Sequence, residues 1–170
     1  MRGLLNRADA TILAATHSGS ETEEDMNSPS EKIAPLKVLI GIWDTTIVPF
    51  NEDGSDGQAS SATDIYEWSP NGHFVHHTVD AMMGGERIQS LEIIAAGPSA
   101  GTYLTHSYDA DGSVNAFTAE LREREWTIAG ETQRFTGQID AAGATLSGQW
   151  EQRRDSNWSP LMKVTLRKRA

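Results

Sequence analysis

From Gly41 onward the chain is cut into short runs by clusters of turn-forming residues, and that punctuation constrains the fold more than any other feature. Asp53-Gly54-Ser55-Asp56-Gly57, Pro70-Asn71-Gly72, Met83-Gly84-Gly85-Glu86, Ala96-Gly97-Pro98-Ser99-Ala100-Gly101 and Asp111-Gly112 supply the main breaks. The runs between them have strand length and strand composition: 45–50, 61–68, 73–82, 87–95, 102–109, 113–121, 126–129, 133–139, 144–152 and 161–168. Asn71-Gly72 is the strongest hairpin signal, because both residues enter the left-handed region at low steric cost. Every connection is hairpin-length, and no amphipathic helix is available to cross over a parallel sheet. Consecutive antiparallel strands predict an up-and-down meander, and closing it removes both exposed edges. The expected fold is therefore an all-β, antiparallel, up-and-down β-barrel of about eight to ten strands. A Greek-key sandwich is the alternative.

The first 32 residues differ from the rest. Glu21-Thr22-Glu23-Glu24-Asp25 and the Ser, Asn and Pro that follow offer little to bury, so residues 1–32 are expected to be a disordered acidic tail. Arg7 and Asp9 interrupt any apolar core of a secretory signal. Ser30 could cap a short helix over 33–39, with Pro35 in its first turn. Residues 33–170 make the barrel domain, long enough to bury a core without covalent staples.

With no cysteine among the 170 residues, disulfides, zinc–thiolate sites, iron–sulfur clusters and thiol catalysis are excluded. The same lack suits a reducing cytoplasm, which is the expected location. Fourteen Lys and Arg against 24 Asp and Glu give a formal charge of −10, which repels a polyanion, so nucleic acid is not an expected partner. No apolar stretch approaches the ~20 residues of a membrane-spanning helix, and no membrane role is expected.

Two residues apart on one face of a strand, Gly41 and Trp43 let a backbone bend closely and a large ring plug a barrel end. Together with the apolar turn before them, the antiparallel meander and an arginine near the end of the last strand, they resemble the calycin superfamily of lipocalin-like barrels. That resemblance implies that Trp43 closes the narrow end, with Arg167 or Arg169 packed across its indole. More narrowly, residues 34–169 are similar to the DUF1579-type proteins of unknown function. The matching text is Leu39-Ile40-Gly41-Ile42-Trp43, His106-Ser107-Tyr108-Asp109, and Leu146-Ser147-Gly148-Gln149-Trp150-Glu151 with Asp155-Ser156-Asn157-Trp158. The resemblance supplies no catalytic residue. The haem-binding, nitrobindin-like relatives carry a glycine-rich extension after the tryptophan and a late histidine. This chain has Asp44-Thr45-Thr46 and a last histidine at His106.

Chemistry-bearing residues concentrate on a few strands. His73, His76, His77 and His106 fall on two of them, and alternation puts His73 and His77 on one face with His76 on the other. Imidazoles inside a barrel could meet at a metal or a haem iron, but no His-x-His spacing is present. Asp64, Glu67, Asp80 and Glu92 are strand carboxylates, and any that faces inward could act as an acid or base. No nucleophile-elbow motif occurs. Met82 and Met83 beside Gly84-Gly85 could form an adaptable lip, and Trp158, read as part of a turn, would cover a barrel end or a partner.

The functional expectation is non-catalytic binding of one small apolar or amphipathic molecule inside the barrel. Tyr66, Trp68, Phe74, His76, His106 and Tyr108 are the candidate wall residues, with no cofactor, no metal ligand and no catalytic residue assigned. Three alternatives stand beside it: haem or metal binding through barrel histidines, an enzyme using an internal histidine–carboxylate pair, and a filled barrel that works through its surface. A homodimer is compatible with each.

Overall fold

The computed structural model describes residues 28–170, so the expected tail lies outside the described residues except for 28–32. A 3-10 helix, Ala34–Val38, leads into ten strands. They are β1 (Gly41–Pro49), β2 (Ser60–Trp68), β3 (Phe74–Met83), β4 (Glu86–Ala96), β5 (Thr102–Asp109), β6 (Val114–Arg122), β7 (Glu125–Ala129), β8 (Gln133–Ile139), β9 (Thr145–Arg154) and β10 (Asn157–Lys168). Each strand pairs antiparallel with its sequence neighbours, and β1 pairs with β10 to close the barrel. The meander is thus realised, and among the described strands closure leaves no edge unpaired.

Strand alternation divides the molecule into an inside and an outside. On β1, Trp43, Thr45 and Ile47 are buried between exposed Ile42, Asp44 and Thr46. Cross-strand register then carries each inward residue around the barrel. One interior row runs Ile128, Phe135, Trp150 and Met162 through β7 to β10, and a neighbouring row runs Trp126, Gly137, Gly148 and Val164. The glycine pair makes room for the Phe135 ring, since a Cβ on Gly148 would lie 2.5 Å from Phe135 Cζ and from Thr136 O. Gly148→Ala should therefore destabilise the barrel by about 1–3 kcal/mol through overpacking, read as a lower urea midpoint at unchanged m-value.

The 3-10 helix closes the end of the barrel where β1 begins. Ile33, Leu36 and Leu39 are fully buried there and form one apolar cluster with Trp43, Tyr103 and Trp126. The Trp43 indole N–H donates to Leu39 O at 2.7 Å. The cation over its ring is Lys168, 4.6 Å from the centroid, whose ammonium also donates to Val38 O at 2.8 Å. This differs from the expected Arg167 or Arg169. Alternation along β10 turns Val164, Leu166 and Lys168 to one side, which leaves Arg167 exposed outside. Arg169 reaches across the outer surface to Asp44 at 2.6 Å.

Two further differences are local. Gly72 is left-handed (φ 67), but Asn71 is not. Its side chain does the work instead, with Asn71 Oδ1 accepting from Ser69 Oγ at 2.7 Å and from His73 N at 3.1 Å. Trp158 lies in β10 rather than in a turn, opposite Arg153, with the Arg134 guanidinium 4.5 Å over its ring. A register shift between Pro160 and Met162 lets the proline sit in the strand without breaking the ladder beyond it.

Candidate functional site

The interior of β2 to β6 is unlike that of β7 to β10. Tyr66, His77, Glu92, Ser107 and Asn115 are direct cross-strand partners in turn, so a polar row runs along one wall. The next row towards the open end contains Asp64, Val79, Ser90 and Asp109. Facing them are the apolar rows of β7 to β10. Between the two walls lies a cavity of about 330 Å³, lined on one side by this polar row and on the other by residues such as Trp126, Ile128, Phe135 and Trp150. Its polar rim includes Asp109 and Gln133, beside the β5–β6 and β7–β8 turns, opposite the end closed by Trp43.

His77 is the centre of the polar wall. Its ring stacks on Tyr66, with centroids 3.8 Å apart and planes within 7°. Nε2 donates to Asp64 Oδ1 at 2.8 Å, and Nδ1 donates to Glu92 Oε2 at 2.9 Å. Thr45 Oγ1 donates to the second Asp64 oxygen at 2.5 Å. Burial by itself would push the imidazole down, but the hydrogen bonds and charges of Asp64 and Glu92 outweigh it and raise His77 to about 9. Glu92 moves the other way: burial would raise it, yet His77 and then the nearby Thr105 hydroxyl hold its carboxyl below the usual value. Tyr66 is pushed well up by burial and by Asp64 and Glu92, so its phenol keeps its proton. At neutral pH the wall therefore carries an imidazolium clasped by two carboxylates.

That arrangement limits the chemistry. A doubly protonated imidazole has no lone pair, so His77 can neither ligate iron or another metal nor accept a proton. Both of its N–H groups are committed to carboxylates, so donation to a substrate requires one of them to be displaced. Among the described residues, no group of three or more His, Cys, Asp or Glu side chains is placed to hold a metal ion.

Of the six expected wall residues, Tyr66 lines the cavity. Trp68 packs beside the buried core towards the closed end. Phe74, His76, His106 and Tyr108 occupy the outward positions of β3 and β5, and Phe74 and Tyr108 are among the exposed large hydrophobics. Neither His76 nor His106 lines the cavity, and they are separated on the outer surface by Ile93. Of the four strand carboxylates, Asp64 and Glu92 meet at His77, Glu67 is exposed, and Asp80 pairs with Arg87 at 2.6 Å. Sequence reasoning missed His77, Ser107 and Asn115 as wall residues. A signal existed on β3, where Val75, Val79 and Ala81 share their parity with His77. None existed on β5, whose outward Leu104, His106 and Tyr108 are no more polar than its inward Tyr103, Thr105 and Ser107.

No protein-family model and no curated protein matches this chain. Among solved structures, the chain is similar to Rv2717c from M. tuberculosis, with a TM-score of 0.63 and 11% sequence identity over 84% of this chain and 100% of that one. At that identity the likeness shows the barrel fold and nothing finer.

Proposed function

We propose that the chain is a lipocalin-like barrel of the calycin type, akin to the DUF1579-type proteins, that binds one small amphipathic molecule without transforming it. The observation that carries this reading is the two-faced cavity of about 330 Å³. Its volume falls in the range of small-molecule pockets. Aromatic and aliphatic side chains on one wall would take the apolar part of a ligand. The hydroxyls and charges of the other wall would fix its polar end.

A second reading has a specific observation behind it: a histidine and two carboxylates stand together in the wall of the cavity, as an acid–base enzyme requires. Binding is favoured because both imidazolium protons already have partners. The cytoplasm remains the proposed location, with no nucleic acid as partner. Among the described residues no helix is long and apolar enough to cross a membrane.

Native mass spectrometry of protein purified from cells without refolding, with a visible spectrum alongside, tests the reading. A reproducible excess mass of one small molecule per chain is the expected result. A haem absorbance, or turnover of the retained molecule on incubation, would replace non-catalytic carriage with one of its rivals.

A further inference from the structure

The cavity's polar wall is one-sided in charge. Three carboxylates line it, Asp64, Glu92 and Asp109, against one imidazolium, and among the described residues neither lysine nor arginine reaches it. The positive charge of His77 is already satisfied by Asp64 and Glu92. Asp109 has spare capacity: Oδ2 accepts from Ser113 Oγ at 3.2 Å and Asn115 Nδ2 at 3.0 Å, while Oδ1 has no donor among the described residues. The Ser90 and Ser107 hydroxyls also lack partners among the described residues.

Resting on the binding reading above, we propose that the ligand's polar end is cationic, most simply a primary ammonium, and that the cavity rejects carboxylate-headed molecules of the same size. Ser90 and Asp109 are direct cross-strand partners, as are Glu92 and Ser107, on neighbouring inward rows. Inward Cβ atoms of such partners lie about 4.5–5.5 Å apart, a spacing that one ammonium with three N–H donors can bridge. A carboxylate in the same place would meet three like charges and find no cation free to pair with it, a juxtaposition that costs far more inside a low-dielectric cavity than in water. The apolar wall accepts either molecule, so the head group decides.

Isothermal titration of the full chain with octylammonium, 1-octanol and octanoate at neutral pH and about 0.15 M salt separates the possibilities. Octylammonium should bind one per chain at least about tenfold more tightly than octanoate, with 1-octanol between them. Asp109→Asn, a conservative change at the rim, should shrink that ratio. Ser107→Trp, which fills the cavity, should abolish octylammonium binding, whereas mere attraction of a cation to an acidic surface would survive it. Octanoate binding as tightly as octylammonium would overturn the charge selection and leave the binding reading standing. If none of the three saturates, both fall. Octylammonium that still binds Ser107→Trp would place it outside the cavity and overturn the proposal.

Discussion

His77→Gln will destabilise the barrel by about 3–5 kcal/mol at pH 6, because it leaves Asp64 and Glu92 facing each other across a buried wall with no cation between them. In a domain of this size that loss lowers the melting temperature by roughly 10–20 °C. The pH dependence identifies the cause. His77 is raised in the folded state from 6.5 to about 9, so its contribution is fully present below pH 6.5 and is lost as pH rises through 9. Wild-type protein should therefore lose about 3 kcal/mol of stability over that window, beyond whatever its remaining groups contribute. Glu92, held below its usual value, has the opposite sign, and its contribution disappears as pH falls into the acid range. Urea midpoints of wild type and His77→Gln measured from pH 6 to 10 check this directly. The gap between the two should be widest near pH 6 and should narrow above pH 9. A gap that stays constant across the range would mean that His77 acts through packing on Tyr66 and not through its charge.

Trp43→Ala should cost at least as much. The indole is fully buried, seals the barrel against Ile33, Leu36 and Leu39, and ties the 3-10 helix to β1 through its bond to Leu39 O. Truncating a buried tryptophan costs about 3–5 kcal/mol. The orphaned Leu39 carbonyl adds to that unless water enters to satisfy it. Trp43→Phe restores most of the volume but not the donor, so it should fall between, at about 1–3 kcal/mol. Lys168→Met, which keeps the stem and removes the ammonium, should cost less than either, because the cation–π contact and the bond to Val38 O lie partly in solvent. Chemical denaturation of the three variants gives the ranking. A Trp43→Ala protein within about 1 kcal/mol of wild type would show that the closed end is not held by this residue.

Much of the fold was legible because strands and turns are local. Clusters such as Gly84-Gly85 and Asp111-Gly112 end strands wherever they occur, so most strand ends could be read to within a residue or two, although β1 and β10 each begin four residues before the expected 45 and 161. The site was not legible, because it depends on register across three strands. Asp64 reaches His77 only because Tyr66 sits opposite His77 and sends Asp64 one inward step towards the mouth, and Glu92 reaches it only through the β3–β4 pairing. Choosing the inward face also failed on β5, where an apolar outer row through Leu91, Tyr108 and Val114 masks the usual contrast between core and solvent. The same parity governs the closing cation: Arg167 and Arg169 are the better cation–π residues, but Lys168 has the position.

A titration of 15N-labelled protein with 1-octanol, followed at the tryptophan indole N–H signals, tests the claim that the barrel is a hollow binding site. Trp126 and Trp150 line the cavity, whereas Trp158 lies under Arg134 away from it. Saturable shifts of the Trp126 and Trp150 signals, with Trp158 unmoved and a dissociation constant below about 1 mM, are the predicted result. Unmoved cavity indoles at saturating 1-octanol, or shifts confined to Trp158, would mean that the interior takes no ligand and that the barrel works by some other surface.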